Sequence, residues 1–89
     1  MTKTQFRKFI NKSVFEHVSK NYPDFEIDDN EGGGRVYFID TTSDRPGDDS
    51  IMYERSTHTM CTLNWSNERI KGIERELEIW INNLIQQHQ

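Results

Sequence analysis

The hydrophobic period changes twice along this chain, from helical to alternating and back to helical, and that succession limits the fold more than any single motif. Phe6, Phe9, Ile10, Val14 and Val18 recur at the spacing of an amphipathic helix, on an arc centred near Phe6 and Ile10. Thr2 and Gln5 stand in capping-box spacing, with Met1 and Phe6 placed to staple around them. Tyr22 precedes Pro23, and a residue before proline avoids the α region. These signals predict a helix over residues 3–21.

From Phe25 the period is two. Phe25 and Ile27 alternate with Glu26 and Asp28, which predicts a half-buried strand over residues 25–29. The glycines of NEGGG (residues 30–34) supply a turn, because glycine takes positive φ at no steric cost. A second strand over residues 35–40 follows, and Val36, Tyr37, Phe38 and Ile39 make it apolar on both faces, as suits a central position. The polar loop TTSDRPGDDS (residues 41–50) contains a Pro-Gly turn. Residues 51–64 read as one long bent ribbon or as two strands broken near residues 56–58.

Helical spacing returns with Ile70, Ile73, Leu77, Trp80, Ile81, Leu84 and Ile85, after Ser66 and Asn67, either of which can cap. A helix over residues 67–87 forms a rod of about 30 Å, longer than a typical strand of about 20 Å, so it must cross the sheet obliquely or project beyond it. The fold class is therefore α+β, in the order α-β-β-β-α, or with four strands if the ribbon breaks. The sheet is antiparallel and both helices pack on one face.

That order resembles double-stranded-RNA-binding domains. The resemblance stops at element order, because those domains start their last helix with a basic, glycine- and lysine-containing stretch. Here the same place reads Asn67-Glu68-Arg69-Ile70-Lys71-Gly72, with Glu74, Glu76 and Glu78 soon after.

Composition narrows the function classes. At 89 residues the chain holds one modest core, which leaves little room for an enclosed pocket of about 300 Å³. A mean hydropathy of −0.91 is polar, yet five Phe, three Tyr and two Trp supply enough bulk to fold. There is no run of about 20 apolar residues and no signal-peptide pattern at the N-terminus. Cys61 is the single cysteine, so no intrachain disulfide forms and a reducing compartment fits. The expected location is the cytoplasm of a cell or of an infected host, and the small size and polarity suit a phage or mobile-element protein.

Charge is unevenly spread. Lys3, Arg7, Lys8, Lys12 and Lys20 face only Glu16 in residues 1–22, whereas residues 24–54 carry ten acidic side chains against Arg35 and Arg45. The expected activity is that of a small non-catalytic protein-binding module, an inhibitor or adaptor acting through acidic loops and an exposed sheet or helix face. Its acidic surface comprises Asp28, Asp29, Glu31, Asp44, Asp48 and Asp49. The same surface suggests mimicry of nucleic-acid phosphates, though a net charge of −4 is mild for that.

Two alternatives stand beside this. One is nucleic-acid binding by the basic first helix, where Phe15 lies opposite Phe6 among Lys8 and Lys12 and offers a stacking surface. The other is a homodimer through Tyr37 and Ile39, or through Gly72 and Ile79 on the outward side of the last helix. No cofactor or metal is expected. A calcium loop starting at Asp28 fails on spacing, since its third ligand would be Gly32 and its closing glutamate Ile39. No catalytic residue is assigned. His58 and Cys61 stand three apart in a predicted strand and face opposite ways, His17 falls in the first helix's apolar arc, and His88 lies in a tail expected to fray.

Overall fold

The structure, a computed structural model, describes residues 1–29 and 33–89, so Glu31 and the centre of the glycine turn lie outside the described residues. The elements are α1 (Lys3–Asn21), β1 (Phe25–Asp29), β2 (Arg35–Asp40), β3 (Ser50–Glu54), β4 (Thr59–Cys61) and α2 (Glu68–Gln87). The four strands form one antiparallel sheet in the order β1-β2-β3-β4, each paired with its neighbour in sequence. The ribbon over residues 51–64 is thus broken into two strands. The break is the turn Arg55–His58, where His58 adopts a left-handed backbone with φ of 58°. No described helix is long and apolar enough to cross a membrane.

Strand parity decides which side is covered. Phe25, Val36, Phe38, Ile51, Tyr53 and Met60 point to one face and are buried. Both helices press on that face, α1 through Ile10, Val14 and Val18, and α2 through Ile70, Ile73, Leu77 and Ile81. Full burial of an aliphatic side chain contributes about 1.5–3 kcal/mol, so this single layer of contacts carries most of the fold's stability.

Helix α1 has two neighbours, and that corrects the expected arc. One flank meets α2, where the His17 ring stacks on Trp80 at 3.9 Å and Phe9 meets His88 edge-on at 4.8 Å. The other flank meets the sheet, where Phe15 makes T-shaped contacts with Phe38 at 6.3 Å and Tyr53 at 6.1 Å. The buried centre is therefore Val14 rather than Phe6, and Phe15, about 60° around the helix from Val18, is half-buried, packed on the sheet while still bordered by Lys8 and Lys12. His88 is not a frayed tail residue, because α2 runs antiparallel along α1 and brings it onto Phe9. Tyr22 closes the other end of the pair by donating to Glu76 at 2.9 Å; burial and that carboxylate push its phenol up to about 12.

The caps are as the spacing predicts. Thr2 and Gln5 form a reciprocal capping box, with bonds of 2.9 and 3.1 Å. Asn67 caps α2 by accepting from the Ile70 amide at 2.9 Å, and Ser66 instead donates to the Asp48 carbonyl at 2.5 Å.

Candidate interaction surface

The second face of the sheet has no layer over it among the described residues. Its side chains form cross-strand rows fixed by the register. One row runs Asp28, Tyr37, Met52, Cys61; the next runs Glu26, Ile39, Ser50. A third pairs Arg35 with Glu54, whose charged groups stand 3.7 Å apart. Tyr37, Ile39 and Met52 are half-exposed and Cys61 is exposed. A shallow hollow of about 180 Å³ opens between Tyr37, Ser50, Met52, Cys61 and Leu63, with Gly47 of the loop at its edge. The surface is apolar in the middle and carries Glu26 and Asp28 on the β1 side.

The loop beside it is held by two carboxylates that the sequence did not single out correctly. Asp40, 2% exposed, accepts from the Thr42 amide at 2.9 Å and the Thr42 hydroxyl at 2.6 Å, and pairs with Arg69 of α2. Burial alone pushes its carboxyl up, but Thr42 and Arg69 outweigh that and hold it below the usual carboxylate range. The Arg69 guanidinium also lies over the Phe25 ring, 5.4 Å from its centre. Asp49, 3% exposed, accepts from Ser43 at 2.5 Å and from the Asn67 amide at 2.9 Å. The Ser43 hydroxyl and that amide keep its carboxyl low as well. Together they bind the loop to the start of α2.

The expected acidic surface is corrected accordingly. Asp49 is turned inward and cannot meet a partner. Asp48 is half-buried, accepting from Trp65 Nε1 at 3.0 Å and lying 3.9 Å from Arg45. Asp29 shares the covered side with Val36 and pairs with Arg55 at 3.1 Å. Asp44 is exposed on the loop, and Asp28 stands on the uncovered sheet face. The acids are spread over three environments rather than gathered on one.

The homodimer residues also separate. Tyr37 and Ile39 lie on the uncovered sheet face, whereas Ile79, 64% exposed, points away from the sheet on the far side of α2. Gly72 is near that side, and a methyl group added there meets nothing within 4 Å. One seam cannot use both pairs. Lys8, Lys12 and Phe15 do come together, lining a hollow of about 370 Å³ between α1 and the turn after β3.

Titratable groups elsewhere pair with structural partners. Tyr53, fully buried, donates to Asn11 Oδ1 at 2.6 Å and lies 3.1 Å from His58 Nδ1. Burial pushes the Tyr53 phenol up and, with Arg7 nearby, the His58 imidazole down. His58 thus belongs to a turn on the covered side, not to a strand, while Cys61 faces the open side. Among the described residues, no three His, Cys, Asp or Glu side chains gather as metal ligands. No known protein family, curated protein or solved structure matches the chain.

Proposed function

We propose that this chain is a protein-binding module that docks a partner on the uncovered face of its sheet. The observation that supports this reading is the row Tyr37–Met52–Cys61 beside Ile39, an apolar strip in register across three strands with no layer over it among the described residues. Leaving such a strip in water forgoes about 25 cal/mol for each Å² of apolar area that a partner could cover, and contiguous exposed apolar patches mark interaction sites. Glu26 and Asp28 at its edge favour a partner whose contact surface is apolar and rimmed by lysine or arginine. A module of this kind acts as an inhibitor or adaptor by occupying that surface.

The alternative occupant is a second copy of the chain, since a two-fold contact through this face would set one apolar strip against another. The native thiol offers a direct test. Cys61 is the single cysteine and stands on the proposed face, so a bulky maleimide adduct there obstructs docking. Proteins retained by the immobilised chain should be lost from the adduct and from Ile39→Lys, and retained by Ile79→Lys on the far side. Equal retention by all three forms would reject the sheet-face site. Sedimentation of the free chain as a dimer that dissociates on Ile39→Lys would transfer the site to a second copy.

A further inference from the structure

A second recess, with different chemistry, lies where α1 meets the turn after β3. Its floor is Phe15, and its walls are Lys8, Asn11, Lys12 and Glu16 of α1 with Arg55 from the turn after β3. At about 370 Å³ it falls within the size range of small-ligand sites. We propose that this recess binds a nucleotide unit, with the base against Phe15 and the phosphate among Lys8, Lys12 and Arg55.

Each part of the recess has a separate physical reason to serve. Phe15 is pinned by its two T-shaped contacts with Phe38 and Tyr53, so the ring is already oriented when a base arrives and no rotamer freedom is lost on stacking. Asn11 is oriented too: Tyr53 donates to its Oδ1, which leaves the amide NH₂ as the group it offers to a base carbonyl or ring nitrogen. Arg55 is held against Asp29 at 3.1 Å and the Gly33 carbonyl, which fixes its guanidinium at the rim. Lys8 and Lys12 are exposed and adjustable. Lys12 is 4.0 Å from Glu16, with both side chains largely in water, and an exposed pair of this kind is worth only a few tenths of a kcal/mol. A phosphate can therefore draw the ammonium away.

None of the recess residues belongs to the uncovered sheet face, so this inference is independent of the docking proposal. It is tested by anisotropy of fluorescein-labelled single-stranded RNA and DNA oligonucleotides of mixed sequence, with ATP and heparin as competitors, across a salt series. The double variant Lys8→Ala/Lys12→Ala should weaken oligonucleotide binding and flatten the salt slope by about 1.4, two phosphate contacts at about 0.7 each. The charge-matched control Lys3→Ala/Lys20→Ala should leave both nearly unchanged. Phe15→Leu should weaken binding about tenfold or more, the loss of one base stack. Competition by ATP assigns the recess to free nucleotides as well as strands, and its absence assigns it to strands alone. No binding at low salt, an equal loss in the two lysine doubles, or heparin displacing the oligonucleotide as well from Phe15→Leu as from the parent chain would overturn the proposal.

Discussion

Asp40→Asn removes the charge at the point where β2, the loop and α2 meet, and its cost follows from the bonds it alters. The carboxylate accepts two bonds from Thr42 and pairs with Arg69. Hydrogen bonds to a charged group contribute about 1.5–3 kcal/mol, against about 0.5–1.5 for neutral partners. Asparagine keeps the two Thr42 bonds as neutral ones, losing about 1 kcal/mol from each. The Arg69 contact is lost, but its side chain is 48% exposed and returns to water, so that loss belongs at the low end of the charged range. The sum is about 2–4 kcal/mol. A chain of this length has about 5–13 kcal/mol in all, and about 1 kcal/mol moves Tm by 4–8 °C at this size. A fall of about 10–25 °C should result.

Urea unfolding followed by tryptophan fluorescence measures it. Trp65 reports the loop through its bond to Asp48, and Trp80 reports the helix pair through its stack on His17. Mutating each to Phe in turn separates a loop that opens first from a fold that fails as one. The pH dependence gives a second reading. The folded-state pKa of Asp40 is depressed, so its stabilisation is complete above the unfolded value near 3.9 and drains away as pH falls through the folded value. The acid limb of stability should therefore flatten below about pH 4 in Asp40→Asn. A loss under about 0.5 kcal/mol, or an unchanged acid limb, would refute the idea that this carboxylate is a tie.

Two further substitutions probe the helix and the turn. Gly72→Ala should stabilise by up to about 1 kcal/mol, since the added methyl meets open space; urea titration showing destabilisation would mean that α2 needs the flexibility. At His58, a left-handed backbone costs a side-chain-bearing residue about 1–2 kcal/mol, while the contact with Tyr53 contributes about 0.5–1.5 kcal/mol. His58→Gly should therefore be nearly neutral in thermal melts, and His58→Val, which loses the bond and adds the extra strain of a β-branched side chain, should cost about 1–2 kcal/mol. Equal stability of the two variants would sink that account.

The elements were legible because each depends on its own residues. A stripe of apolar side chains, a capping box and a proline define α1 without reference to anything outside residues 2–23. What a wheel cannot show is that two partners share one helix, which is why Phe15 looked stranded when it was the sheet-side edge of a broad contact. Asp40 and Asp49 were hidden for a related reason: in sequence they resemble the eight other acids of residues 24–54. Parity did carry a signal for one of them. Asp40 follows Val36 and Phe38 at intervals of two, so it had to point into the core and needed partners there. For Asp49 no local pattern exists, because its partners Ser43 and Asn67 come together only once α2 has docked.

The uneven charge of the sequence also takes on a different meaning in three dimensions. Along the chain it is a basic first quarter and an acidic middle. In the fold, Lys8 and Lys12 face outward from α1 on one side, and Glu26 and Asp28 face outward from the sheet on the other. The sheet and the helical layer separate them by roughly 10 Å or more, beyond or near the Debye length of about 8 Å at physiological ionic strength. Each face thus presents its own sign of charge to whatever approaches it, and the small net charge conceals both. An anion at the Phe15 recess and a basic protein on the sheet face are compatible occupants, since neither covers the other's residues. Added salt weakens either contact, so salt sensitivity alone cannot assign a ligand to a side. The Cys61 adduct and the Lys8/Lys12 pair do so because each alters one face and leaves the other untouched.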